Sequence, residues 1–408
     1  MNARKSEKVE IWLTAQRRVS GFLRYVVLYA ALYAGFGAAS PFLPAFLQSR
    51  GLAADQIGFV LAVGMAARLL AGPTAGQIAD RSHALRTIFA ISTTCAAVLA
   101  LTNLTVETFW PLLLLGVLWS ATLAPAAPLA DALTLAAAEP VLGNKGFEYG
   151  WVRGAGSAAF ILGTMGSGQA VYAFGLGATL VLQATLLVLA AIWIGGVPNY
   201  VTAPQTTASI DRSGPDSIWQ LLRITVFLRI IIIAALVLGS HALHDSFAVI
   251  RWNAAGISGT VASVLWSEQV VAEVVVFLII GPALLNRFGP AWALTVSASA
   301  GAVRWAATAL TTDPYLLALI EPLHGLTFAL LHLASMRVLS VAVPLRLAAT
   351  AQTIYGTVGV GATVALLTLA SGLLYQHLGG IAFWIMAALC VVAIPVAMTV
   401  RLPESLNP

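Results

Sequence analysis

Three arginines, Arg68, Arg153 and Arg304, and five carboxylates, Asp131, Asp245, Glu268, Glu273 and Glu321, lie inside long apolar runs of this 408-residue chain. An ionised side chain at the centre of a bilayer costs at least about 2.5–3.5 kcal/mol on the lenient insertion scale, so such residues must face one another, water or a ligand. An arginine can hold an anion bidentately, and a carboxylate beside a movable arginine can switch between binding and releasing a proton. Together they describe a polar pathway through a membrane, and a transporter is the reading that uses all of them.

Other polar residues fall near these. His241, His244 and Asp245 share a helix face at i, i+3 and i+4. A cavity lining or proton relay suits them better than a metal, because no cysteine or further carboxylate is fixed nearby by sequence. Glu268 and Glu273 point to different sides of one helix, and the deeper Glu273 is the expected central residue. Tyr25, Tyr29 and Tyr33 recur every fourth residue with Phe36 beside the stripe, a pattern open to ring stacking on a ligand or to plain interhelical packing. His332 reads as a packing residue.

The elements that must position these groups are membrane spans. The chain is 59% hydrophobic and 9% charged with a mean hydropathy of +0.90, which leaves no room for a large soluble domain. Spans are expected near 22–46, 57–77, 87–104, 109–135, 150–172, 174–196, 224–251, 260–283, 291–311, 315–340, 349–375 and 380–400. The polar start leads into an apolar stretch too long for a signal-peptide core, so the first span is expected to stay in the mature protein. Nearly all basic loop residues fall on the side of both termini, with only Arg50 and Arg251 opposite, which predicts cytoplasmic termini. The net charge of +5 is spread along loops without a base-stacking module, so no nucleic-acid partner is expected. Cys95 and Cys390 fall within spans as small apolar residues.

The polar interruption Pro198 to Ser217 splits the spans six and six. The expected organisation is a cytoplasmic segment 1–21, an N-terminal six-helix bundle 22–196, a cytoplasmic linker 197–223, a C-terminal six-helix bundle 224–400 and a tail 401–408. A repeat supports the halving: Gly76-Gln77-Ile78-Ala79-Asp80-Arg81 returns as Gly281 to Arg287, one residue longer, with the two arginines 206 residues apart.

Gly76-x-x-x-Asp80-Arg81 followed by Arg86 resembles the signature between the second and third helices of the major facilitator superfamily. There the glycine would allow close helix approach, Asp80 would cap or pair, and the arginines would hold the cytoplasmic face closed. Within that superfamily the chain resembles the phenylpropionate permease family, relatives of the lactose permeases. The matching segments are Tyr33-Ala34-Gly35 with Pro41-Phe42-Leu43-Pro44, Ala67-Arg68, Pro128-Leu129-Ala130-Asp131-Ala132, Tyr149-Gly150-Trp151-Val152-Arg153 with Gly156-Ser157, and Val271-Ala272-Glu273. Val303-Arg304-Trp305, Leu323-His324 and His332 to Arg337 extend them to the eleventh span.

The resemblance implies an all-α integral membrane protein of twelve helices in two pseudo-symmetric bundles, with a substrate cavity at midplane. Phe147-Glu148-Tyr149-Gly150-Trp151-Val152-Arg153 is similar to the lactose permease helix-five pattern and puts Arg153 on the substrate-binding arginine. Arg304 and His324 fall on the helix-nine arginine and helix-ten histidine, and Asp131 near the helix-four glutamate that pairs with the substrate-binding arginine. Thr327 stands where that family has its proton-carrying glutamate, leaving Glu321 or Glu273 as substitutes.

Substrate contacts are therefore expected from Arg68, Asp131, Arg153, Tyr29 and Tyr33, and proton coupling from Asp245, Glu273, Arg304, Glu321 and His324. The expected function is proton symport of a small aromatic or hydrophobic carboxylate by a monomer in a bacterial inner membrane, with a neutral sugar or nucleoside as the alternative cargo. No cofactor or catalytic residue is expected, since His-Glu-x-x-His, Gly-x-Ser-x-Gly and P-loop patterns are absent from the sequence. An integral membrane enzyme or a non-transporting receptor is the competing class.

Overall fold

The computed structural model describes residues 2–138, 147–197 and 215–401. In order, the α-helices are α1 Asn2–Ala39, α2 Leu43–Ser49, α3 Ala54–Ser82, α4 Leu85–Thr102, α5 Phe109–Leu123, α6 Ala126–Ala138, α7 Tyr149–Phe174 and α8 Gly177–Trp193 in the first half. The second half comprises α9 Pro215–Leu222, α10 Thr225–Gly239, α11 His241–Ala254, α12 Gly259–Val275, α13 Gly281–Leu310, α14 Pro314–Ile320, α15 Leu331–Ala342, α16 Ala348–Ile354, α17 Thr363–Leu378 and α18 Phe383–Met398. No strand occurs among the described residues.

Nine helical stretches among these residues are long and apolar enough to cross a bilayer. Two of them, Gly259–Leu310 with 52 residues and Leu345–Met398 with 54, are more than twice the length a single crossing needs. They are interrupted at Gly289 and Gly379, whose φ angles of 77° and 53° belong to the left-handed region. The two loop repeats share this device. Arg81 is followed two residues later by left-handed His83, and Arg287 by left-handed Gly289.

Some boundaries differ from the expected ones. The polar start is the first half of one continuous helix, as a segment without Gly or Pro before Gly21 permits. The first span ends at Ala39 and the chain turns through Ser40 to Phe42 into the short α2, because Pro41 and Pro44 interrupt the helix. The linker lies outside the described residues at 198–214, and its remainder carries α9.

Each half buries its own stripe. In α1, Tyr25, Leu28, Tyr29 and Leu32 recur at helical spacing and pack into α7 and α8. In α10, Phe227, Ile230, Ile233, Ala234 and Val237 form the corresponding stripe. Close approach is made where side chains vanish. A Cβ on Gly163 would collide with the Ala34 carbonyl oxygen and lie 2.7 Å from its Cα, whereas one on Gly166 would meet nothing within 4 Å. Gly163→Ala is therefore expected to destabilise the protein by about 1–3 kcal/mol through overpacking. Gly166→Ala should leave the thermal midpoint in detergent unchanged, and equal midpoints for both variants would contradict this packing.

Among the described residues the closest backbone approaches between the halves lie toward one end, although Leu69 of the first half still reaches Gly361 of the second. On the face carrying residues 255–258 and 379–382, a Cβ on Gly58 would lie 2.7 Å from the Gly372 Cα, and one on Gly168 would lie 2.7 Å from the Gly259 carbonyl oxygen. The core of the second half continues there into Phe42, Phe46 and Ile57 of the first. Toward the opposite, basic face, Gly76, Gly150 and Gly154 have nothing within 4 Å. The close approach expected at Gly76 is thus not made among the described residues. Asp80 and Arg81 are exposed and form no ion pair among the described residues, while Arg86 donates to the Val197 carbonyl at 2.9 Å.

The basic residues serve a structural purpose on both faces. Arg24 donates to Gly196 at 2.8 Å and Arg229 to Thr399 at 2.6 Å, neutralising helix C-terminal carbonyls. On the far face Arg50 bonds the Leu104 carbonyl at 3.0 Å and Glu107 at 3.2 Å, and Arg251 donates to the carbonyls of Thr308 and Ala309.

Candidate functional site

A cavity of about 480 Å³ lies between the halves. Its first wall comes from α1, α3, α5 and α8, through Phe36, Met65, Arg68, Trp119, Ser120 and Gln183; its second comes from α11, α12 and the segment after α14, through Asp245, Trp266, Gln269, Glu273 and His324. The helices in between contribute mostly apolar side chains, so the charged groups stand out against a low-dielectric surround.

The second wall is backed by a continuous polar chain. Asp245, whose side chain is 45% exposed, sits 3.4 Å from Nδ1 of the buried His244. Nε2 of His244 lies 3.2 Å from Glu321 Oε1, and Arg304 donates to Glu321 Oε2 at 2.6 Å. Arg304 also donates to Gln269 Oε1 at 2.9 Å and faces His324 Nδ1 at 3.1 Å. His324 Nε2 is 3.7 Å from Glu273 Oε2, and Glu273 is 29% exposed. Two cavity-facing carboxylates thus terminate a chain whose middle members, Glu321 and Arg304, are fully buried.

Hydrogen-bond chemistry constrains the protons in this chain. Arg304 has no acceptor, so Nδ1 of His324 must accept, and the His324 proton sits on Nε2, aimed at Glu273. His244 has a carboxylate oxygen at each nitrogen, a setting satisfied by the two-donor imidazolium. Aromatic faces surround it, with Trp266 stacked at 5.4 Å and Trp252 and Trp305 edge-on or tilted at 5.7 and 5.6 Å. The Arg304 guanidinium lies 4.5 Å over the Trp305 ring.

The first half arranges its charges differently from the expectation. Asp131 accepts from the Tyr29 hydroxyl at 2.5 Å and the Tyr149 hydroxyl at 2.9 Å, rather than pairing with Arg153. Arg153 sits one turn beyond Tyr149, exposed toward the gap between the halves, with its guanidinium 4.6 Å over the Tyr33 ring. Tyr29 and Tyr33 are buried, stacked on one another at 5.5 Å, and do not line the cavity; nor do Asp131 and Arg153. Gly156 makes this possible, since a Cβ there would lie 3.1 Å from Tyr33 and 3.2 Å from Tyr29. Arg68 does line the cavity, is exposed to it, and forms no hydrogen bond or ion pair among the described residues.

Of the remaining candidates, Glu268 is outside the lining. His241 lies behind the cavity wall with its ring 5.1 Å from His324, so of the three residues on that helix face only Asp245 reaches the cavity. His332 packs edge-on against Phe277 and Tyr355. Several lining residues escaped the sequence reading, Gln269, Gln183 and Trp119 among them. Gln269 stands one turn before Glu273 and shares its face, a signal that was available. Gln183 is an amide in the otherwise apolar α8, also visible in principle. Trp119 carried no signal, because an apolar span tolerates tryptophan anywhere.

The sequence profile of the MFS_1 like family matches residues 22–386. A probable 3-phenylpropionic acid transporter of Escherichia coli (strain K12) is 31% identical over 383 residues, covering 91% of this chain and 95% of that one. A maltose permease of Geobacillus stearothermophilus is 23% identical over 370 residues, covering 90% of each. The crystal structure of the nucleoside transporter NupG superposes with a TM-score of 0.79 at 20% sequence identity, over 93% of this chain and 98% of that one.

Proposed function

Since the chain belongs to the MFS_1 like family and is a membrane transporter of the major facilitator superfamily rather than an enzyme, we propose that it carries a small aromatic or hydrophobic carboxylate together with a proton. The observation that carries this reading is the pairing of opposite walls: unpaired Arg68 on one, and Glu273 joined to His324, Arg304 and Glu321 on the other. A guanidinium with no protein partner among the described residues calls for an anion, and the apolar part of the lining, Phe36 and Met65 among it, suits a hydrophobic body. The printed name of the Escherichia coli relative agrees with this class of cargo.

In this reading the basic face is cytoplasmic, the membrane is a bacterial inner membrane, and the protein acts as a monomer. The conformation with the halves joined at the far face then opens inward. Glu273 is the proton carrier and His324 its relay, while Arg304 and Glu321 form the fixed pair behind them. Release follows when Arg153, or the substrate held at Arg68, changes its distance from Glu273 during alternating access.

The test is competition for 3-phenylpropionate counterflow in proteoliposomes. Aromatic acids are expected to compete and neutral sugars and nucleosides are not; the reverse pattern would favour the neutral cargoes named for the maltose permease and NupG. Arg68→Gln should weaken the acid about 10–100-fold, the value of one charge-assisted hydrogen bond.

A further inference from the structure

Gln183 is a polar group that the carboxylate site does not use. Its helix, α8, is apolar except for two threonines and this glutamine. Thr179 and Thr185 satisfy their hydroxyls on their own helix, bonding the carbonyls of Leu176 at 2.8 Å and Val181 at 2.9 Å. Gln183 does not. It is 1% exposed, it lines the cavity, and its Oε1 is buried with no hydrogen-bond partner among the described residues. The first half's lining includes the apolar Leu43, Leu47, Phe160 and Leu180 together with the polar Ser40, Asn103 and Ser120.

Its height in the fold sets its role. Gln183 lies six residues from the start of α8 at Gly177, and Arg68 fourteen from the start of α3 at Ala54; both helices start at the face where the halves are joined. At 1.5 Å per residue, Gln183 stands roughly 12 Å nearer the closed end than Arg68. Measured along the helix axes alone, and allowing for the reach of the arginine side chain, that interval suits an aromatic ring on a short chain with its carboxylate at Arg68 and its far ring edge toward Gln183.

We propose that Gln183 reads a hydroxyl on the end of the cargo remote from its carboxylate, making hydroxylated aryl acids the preferred substrates over their unsubstituted parents. A buried amide oxygen left without a donor is unfavourable, and a cargo hydroxyl at the closed end supplies that donor. Turning the amide end for end would present a donor instead, and a hydroxyl answers either face. A site built to bond a substrate hydroxyl discriminates against the analogue lacking it more strongly than an apolar pocket discriminates by size. This inference rests on the carboxylate reading of the same cavity.

The experiment measures affinities of 3-phenylpropionate and its 3-hydroxyphenyl and 4-hydroxyphenyl derivatives by counterflow competition on the full-length protein in liposomes. At least one hydroxylated acid is expected to bind about tenfold or more tightly than the parent. Gln183→Leu should remove that preference by weakening the hydroxylated acid alone, with the parent acid held within about threefold, which also reports that the variant folds. Gln183→Met provides a second apolar replacement should the leucine variant fail to fold. Equal affinities in the native protein, a preference that survives substitution, or equal weakening of all three acids would overturn the inference and leave the carboxylate reading standing. Failure of all three acids to bind the native protein would overturn both.

Discussion

Glu273→Gln protein in proteoliposomes is expected to exchange labelled substrate at close to the native rate and to accumulate none above the external concentration. Exchange needs the loaded carrier to reorient, and a glutamine resembles the protonated carboxyl in shape and charge. Uphill accumulation needs the proton to leave, which glutamine cannot do. Glu273 is singled out from Glu321 by geometry: it reaches the cavity with 29% of its side chain exposed, has among the described residues only a histidine within ion-pair distance at 3.7 Å, and lies on the wall opposite Arg68. Glu321 is fully buried and held by Arg304 at 2.6 Å and His244 at 3.2 Å. Accumulation by the Glu273→Gln protein, or native uptake indifferent to collapse of the proton gradient, would transfer the coupling elsewhere.

Arg304→Met is expected to lower stability by about 3–5 kcal/mol, the cost of breaking one side of a buried ion pair. Glu321 would keep only His244, and Gln269 and His324 would lose the donor that orients them. The double variant Arg304→Met with Glu321→Leu should recover much of that loss, because an apolar pair of similar volume leaves no buried charge unpaired. Transport should not recover with it, since His324 no longer has a partner fixing its Nε2 proton toward Glu273. Thermal unfolding in detergent reads the first effect and counterflow the second. Additive losses in the double variant would mean that the two residues are not energetically coupled.

Gating was only partly legible in the loops. The segment Gly76 to Arg81 and its counterpart Gly281 to Arg287, with Asn286 in place of Asp80, are each followed two residues later by a positive φ, at His83 and Gly289. Yet Gly76 faces open space and Asp80 has no ion-pair partner among the described residues, because whether such a latch is closed depends on the relative position of two bundles. Helix contacts inside a bundle were easier to anticipate. Glycines of the fifth expected span meet α1 at Gly156 and Gly163 and α12 at Gly168, but Gly154 and Gly166 of the same run touch nothing.

The sequence by itself determined the class of protein, a helical membrane transporter. Apolar length, loop charge and intramembrane charge each report on a bilayer directly, residue by residue. Only the tertiary structure decided who pairs with whom. Asp131 and Arg153 lie on consecutive helices and read as a pair, but Tyr29 and Tyr149 reach the carboxylate first and leave the arginine over Tyr33. His241, His244 and Asp245 share a helix face in sequence, but only Asp245 meets the cavity, because the face is wider than the opening it borders. Glu273 and Glu321 were equal candidates for the proton until burial separated them. The reason is common to all three cases: helical periodicity fixes the angle of a side chain about its own axis, whereas pairing and water access depend on the rotation and separation of neighbouring helices, which many distant packing contacts set together.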